Sequence, residues 1–129
     1  MSDWDESADF VVVGSGGGSM CAGLVLRDLG KSVVVLEKTD KVGGSTAMSG
    51  GVIWMPNHPL QAEAGVDDSY EKGLAYLQAT VGDVGPASSP ARRDAFLRHG
   101  PAMIDYLRSK GLKFRRCEGW SDYYDEKPG

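Results

Sequence analysis

Four glycines, Gly14, Gly16, Gly17 and Gly18, are interleaved with Ser15 and Ser19 in one short run, and an acid, Glu37, follows downstream. These residue types suit one kind of chemistry. A backbone without side chains lets a pyrophosphate come close, and Gly16 is the position that leaves it room. A helix starting there aims unpaired N–H groups and its positive dipole end at the phosphates. A carboxylate at Glu37 can accept hydrogen bonds from an adenosine ribose, and it repels a 2′-phosphate, which disfavours NADP. Lys38 sits beside it.

The flanking elements must place these groups. Phe10–Val13 is apolar and β-branched, as expected of a buried parallel strand. Gly14 lets the chain turn sharply out of it. Residues 20–29 are helix-compatible and mostly apolar, and Gly30 closes that helix. Residues 32–36 form a second strand ending at Glu37. The pattern is a βαβ unit, within an α/β, Rossmann-like fold. The third glycine position of the fingerprint is Ser19, small enough for close helix–strand packing but with some strain. The helix is apolar on more than one side, which predicts cover by further chain.

Composition narrows the partners. The net charge of −4 over 129 residues leaves no nucleic-acid footprint. The pairs Arg92–Arg93 and Arg115–Arg116 read as solvated surface. Two cysteines, Cys21 and Cys117, imply no disulfide and fit a reduced, cytoplasmic protein. The acidic start lacks a signal-peptide pattern, and no apolar run approaches the ~20 residues of a membrane span. The two histidines and two cysteines are dispersed, so no metal constellation is expected.

A second glycine cluster follows, Gly43, Gly44, Ser45 and Thr46, then Ser49, Gly50 and Gly51. It is too rich in glycine for a confident helix or strand. Residues 52–55 are a short apolar run, and Asn57-His58-Pro59 is a turn in which His58 reads as a surface residue. Ser69 caps a helix to about Thr80. Ser88 or Ser89 caps another, with Pro90 in its first turn. An apolar stripe from Phe96 to Leu107 is interrupted by Gly100-Pro101, which predicts a kink or two short helices. Gly111 ends it, and residues 112–116 are a candidate strand. Residues 1–8 read as a flexible tail, and 9–129 as one part of a binding domain. The turn-like ending, Glu126-Lys127-Pro128-Gly129, and the incomplete sheet together predict a fragment, the amino-terminal part of a longer enzyme.

Both glycine clusters together resemble the FAD-dependent oxidoreductase superfamily that includes fumarate reductase flavoproteins. Within it the similarity is nearest to 3-ketosteroid Δ1-dehydrogenases. It rests on Val11–Gly18, Leu36-Glu37-Lys38, Gly43–Ala47, the stretch Ser49-Gly50-Gly51-Val52-Ile53-Trp54, residues 64–69, the helix to Asp83, and Trp120–Tyr123. FAD is long, and a second side-chain-free segment can meet its pyrophosphate, ribityl chain and ring edge. NAD needs only the first cluster, so FAD is favoured. No histidine lies between Lys38 and Asn57, so the resemblance implies non-covalent FAD.

The resemblance also implies that Trp120 and Tyr123 line a pocket for a flat apolar substrate, a steroid, with the tyrosine hydroxyl assisting a later catalytic tyrosine. Packing of Trp120, Tyr123 and Tyr124 in a domain seam is an equal alternative. No position in these 129 residues matches the family's proton-transfer groups. The implied chemistry removes hydrogen from C1 and C2 of a 3-ketosteroid, passing hydride to flavin N5, with an electron acceptor completing the cycle. A fumarate or urocanate reductase-like enzyme acting on an activated C=C bond is the runner-up. A nucleotide-binding module without catalysis is the alternative of another class.

Overall fold

Two runs of β-branched residues pair in parallel at the start of the chain. In the computed structural model, which describes residues 4–120 and 122–129, β1 (Phe10–Val13) lies beside β2 (Val33–Leu36) in the register Phe10 to Val33 through Val13 to Leu36. The crossover between them is α1 (Gly17–Asp28), which starts three residues earlier than its apolar run suggests. The ladder is tied at its entrance by Asp9. Its Oδ2 accepts from Ser32 N (2.8 Å) and Ser32 Oγ (2.9 Å), while Asp9 N donates back to Ser32 Oγ (2.9 Å). Those donors, the Ser32 backbone N–H foremost, hold the Asp9 carboxyl below its ordinary range.

Several expectations need correction. β1 is not buried in this chain: Val13 is 78 % exposed, and Phe10 and Val11 are exposed too. A two-stranded ladder with one helix leaves the valines uncovered. Residues 112–116 form no strand, because no neighbouring chain offers them a ladder. The stripe around Gly100-Pro101 is one helix, Pro90–Ser109, and not two short ones. Pro101 removes one donor, but Gly100 is buried against Met55, where a Cβ would lie 2.1 Å from its Sδ. Glycine at this position lets Met55 pack directly against the helix backbone.

The chain divides into two compact units, Met1–Ile53 and Trp54–Gly129. The first contains β1, α1, β2 and the single-turn α2 (Gly44–Met48), which the glycine-rich sequence hid. Residues 4–8 have no regular structure; residues 1–3 of the expected tail lie outside the described residues. The second unit holds α3 (Pro59–Glu63), α4 (Tyr70–Thr80) and α5 (Pro90–Ser109). Ser69 caps α4 as expected, its side chain accepting from Lys72 N at 3.1 Å. Helix α3 went unread, although Pro59 at its first position and Gln61, whose Oε1 accepts from His58 N (3.1 Å), are its start signals. His58 is half-buried rather than on the surface, and burial pushes its imidazole below its ordinary range.

The core of the second unit is small: Met55, Leu97, Ile104 and Leu107. Beside it, Trp54 stacks on Phe96 (6.2 Å between centroids) and tilts against Tyr76 (5.5 Å). Arg93 overturns the surface reading of its pair. It is 6 % exposed and donates to the carbonyls of Gly82 and Ser88 and to Gln78 Oε1 (3.0 Å), with Asp83 at 3.7 Å. It pins the connection between α4 and α5. Arg93→Met should therefore destabilise the protein by about 2 kcal/mol or more, since carbonyls are left unsatisfied. Denaturant unfolding of the intact protein checks this; a change below about 0.5 kcal/mol, the scale of an ordinary surface substitution, contradicts it.

Candidate functional site

The two glycine clusters meet in the first unit. Gly14 leaves β1 with φ of 87°, a conformation open to glycine, while its N–H extends the ladder to Leu36 O at 2.7 Å. The turn then enters α1, with Gly16 at the N-cap. Across from it, Gly44 comes close enough that a Cβ there would lie 3.7 Å from Gly16 Cα. Two hydrogen bonds join the clusters directly. Gly43 N donates to Ser15 Oγ (2.8 Å), and Gly17 N donates to Thr46 Oγ1 (3.0 Å).

The glycines of the first turn divide into two kinds. At Gly17 the protein's own packing crowds a side chain, because a Cβ would sit 3.2 Å from Thr46 Oγ1 and Cγ2 and Thr46 would have to give by a few tenths of an ångström. At Gly16 and Gly18 it does not. Gly16 has ordinary extended backbone (φ −67°, ψ 168°), its hypothetical Cβ meets only Thr46 Oγ1 at 3.9 Å, and Gly18 would meet nothing within 4 Å. A glycine in a helix costs about 0.5–1 kcal/mol against alanine. The space kept free at 16 and 18 is therefore space outside the protein's own packing, at the end of a twelve-residue helix whose first-turn N–H groups point into it. This is a fit for the diphosphate of a dinucleotide. Thr46 already occupies the Gly17 N–H, so the donors left to a ligand are those of Gly18 and Ser19.

Ser19 takes the third glycine position with a hydrogen bond of its own. Its hydroxyl donates to Val13 O at 3.3 Å, an anchor that a glycine could not provide. Ser15 is the surprise. It is 5 % exposed and faces inward. Its Oγ donates to Glu37 Oε2 at 2.5 Å, and its backbone N–H donates to the same oxygen at 3.1 Å. Glu37 Oε1 accepts from Thr39 N at 3.2 Å. The Thr39 hydroxyl has one proton, and Lys41 O (2.8 Å) is nearer to it than Glu37 Oε1 (3.3 Å). Oε1 thus keeps lone-pair capacity for a ribose hydroxyl, while Oε2 is filled by Ser15. These donors, the Ser15 hydroxyl first, bring the Glu37 carboxyl down to about 2.

The remaining candidates are less constrained. Lys38, Ser45, Gly50 and Gly51 are exposed. Ser49 Oγ donates to Thr46 O (2.8 Å) and accepts from Gly51 N (3.1 Å), shaping the exit from α2. In the second unit, Trp120 and Tyr123 are open, 72 % and 96 % exposed, and Ser121 between them lies outside the described residues. Asp122 anchors this segment: Oδ2 accepts from Trp54 Nε1 (2.6 Å) and Oδ1 from Tyr123 N (2.6 Å). Burial, with the Asp122 carboxylate next, pushes the Tyr76 phenol up to about 12. Among the described residues no group of His, Cys, Asp and Glu could hold a metal, and no helix is long and apolar enough to cross a membrane.

The depressed Glu37 titration has a direction that can be checked. Its folded value, about 2, lies below the ordinary 4.5, so the ionised carboxylate stabilises the fold fully above about 4.5 and loses that contribution as pH falls toward 2. The stability difference between the wild type and Glu37→Gln should be flat from pH 7 to 5 and should close below 4.5. Denaturant midpoints at stepped pH measure it; a difference that grows on acidification contradicts the assignment.

The comparisons agree with this geometry. Residues 9–127 match the FAD binding domain family. The 3-oxosteroid 1-dehydrogenase of Mycobacterium tuberculosis is 45% identical over 125 residues, covering 96% of this chain and 22% of that enzyme. The urocanate reductase of Eggerthella lenta is 48% identical over 64 residues, covering 50% of this chain and 11% of that protein. A solved 3-ketosteroid Δ1-dehydrogenase from Sterolibacterium denitrificans, in complex with 1,4-androstadiene-3,17-dione, superposes with a TM-score of 0.84 at 38% identity, over 94% of this chain and 21% of that one. The chain thus spans about a fifth of the length of the relatives it matches. It belongs to the FAD binding domain family, and its cofactor is FAD.

Proposed function

We propose that these residues form the adenosine and pyrophosphate side, and part of the flavin side, of an FAD-dependent dehydrogenase that removes hydrogen from C1 and C2 of a 3-ketosteroid. The observation that carries the reading is the double bridge between the glycine clusters, Ser15 to Gly43 and Gly17 to Thr46. It sets two bare stretches of backbone side by side, as an elongated dinucleotide needs. Gly16, Gly18 and Ser19 face the pyrophosphate, and Glu37 Oε1 takes the adenosine ribose. Gly44, Ser45, Ser49, Gly50 and Gly51 continue the cradle toward the ribityl chain, with Lys38 at the adenosine end.

When bound, the flavin supplies the electron sink that takes up hydride. The work of this chain is to hold the cofactor without a covalent bond. Trp120 and Tyr123 are offered as an aromatic wall for the steroid. Their exposure, with Asp122 anchoring the backbone beside them to Trp54, supports that role over packing within this unit. The matched relatives named for 3-oxosteroid dehydrogenation support the substrate class. A reductase of activated double bonds is the second reading, supported by the local likeness to urocanate reductase. An electron acceptor and a cytoplasmic location complete the proposal.

Turnover decides between the two. The intact protein should bleach an artificial electron acceptor in the presence of 4-androstene-3,17-dione and should not reduce urocanate or fumarate; the reverse pattern contradicts the steroid reading. Gly16→Val tests the cradle. The Gly16 backbone is open to any L-residue and a Cβ there meets only Thr46 Oγ1, at 3.9 Å; the far-ultraviolet circular dichroism of the variant should match wild type, which separates loss of cofactor from loss of fold. FAD affinity should drop at least about tenfold, equivalent to about 1.4 kcal/mol. A variant that still purifies with a full flavin spectrum contradicts the placement.

A further inference from the structure

We infer that Ser15 is a positioning residue: its buried hydroxyl, held between the Glu37 carboxylate and the Gly43 N–H, locks the second glycine segment against the first and so sets the spacing of the FAD cradle. This rests on the site reading above and assigns Ser15 a role other than contact with the cofactor.

The hydroxyl has one proton and two lone pairs. Its distances divide them unambiguously. The proton goes to Glu37 Oε2 (2.5 Å), a short charge-assisted bond, and a lone pair takes Gly43 N–H (2.8 Å). Donation to a carboxylate makes an oxygen a better acceptor, so the negative charge of Glu37 strengthens the bond to Gly43 through Ser15. Gly43 is where such a hold matters. It caps α2 with φ of 110°, and α2 is a single turn that cannot position itself. The second bridge, Gly17 N to Thr46 Oγ1, is a neutral bond between more exposed groups. Removing Ser15 Oγ therefore leaves the segment tied by its weaker contact alone. It also frees Glu37 Oε2 of its hydroxyl donor. Glu37 thus has two separate tasks, one oxygen bracing the protein and the other open toward the ribose.

The test compares the intact protein with Ser15→Ala and Ser15→Thr. In the cofactor-free form, peptide-resolved amide exchange should speed up about tenfold or more over residues 41–48 in Ser15→Ala, with β1 and β2 unchanged. The FAD dissociation constant of the same variant should rise about tenfold or more. Ser15→Thr, which keeps the hydroxyl, should hold both near wild type. Wild-type exchange over 41–48, or wild-type FAD affinity, in Ser15→Ala overturns the proposal. So does acceleration spread evenly over the whole first unit, which would mean a general loss of stability. Because exchange is read without cofactor, failure of the brace is told apart from failure of the FAD reading.

Discussion

Everything in the first unit depends on the parallel pairing of β1 and β2 through the α1 crossover. The register Val13 to Leu36 puts the exit of β1 and the exit of β2 at the same edge. The glycine turn and Glu37 follow those exits, so they meet without any long-range search. Each end of the ladder then carries a carboxylate–serine pair, Asp9 with Ser32 at the entrance and Glu37 with Ser15 at the exit. Both carboxyls are held below their ordinary range by those serines. The short ladder is weak alone, four pairs long and open on its faces. Charge-assisted bonds at its ends fix what its few backbone bonds cannot.

The same economy explains the mixture of glycine roles. Gly14 serves the backbone turn, Gly17 makes room for Thr46, and beside Gly16 and Gly18 the described residues leave space for more than a Cβ, with only Thr46 Oγ1 in ordinary contact at 16. A motif of evenly weighted glycines is thus three different physical requirements. Only the last concerns a ligand. This is why the fit to a diphosphate rests on Gly16 and Gly18 rather than on the count of glycines.

Much of the fold was legible in the sequence where periodicity and caps agree. Both strands, the crossover helix, the Ser69 cap and the end of α4 at Thr80 follow from apolar runs and capping residues. What was hidden depended on tertiary partners. Gly100-Pro101 reads as a break, yet α5 runs through it with Gly100 packed against Met55. Arg93 reads as half of a solvated pair, yet three backbone or amide acceptors converge on it from the α4–α5 connection. Residues 112–116 have strand composition but no ladder to join. The site was legible as residue types, Gly16, Glu37, Gly44 and Thr46, and not as a network. Ser15 sits at a fingerprint position where any small residue would pass, so nothing in its spacing announces an inward hydroxyl.

That inward hydroxyl changes how the acid after β2 should be understood. A carboxylate at this place is ordinarily explained by the ribose it recognises. Here its more tightly engaged oxygen never faces a ligand; it faces Ser15 and, through it, Gly43. If Glu37 takes the ribose as proposed, recognition of the adenosine end and placement of the second glycine segment are parts of one charged group's environment. A change at Glu37 must disturb both ends of the cradle, because Oε1 and Oε2 share one charge. A change at Ser15 disturbs the brace while leaving Oε1 with its Thr39 contact and its open lone pair. The two residues are coupled through one short hydrogen bond.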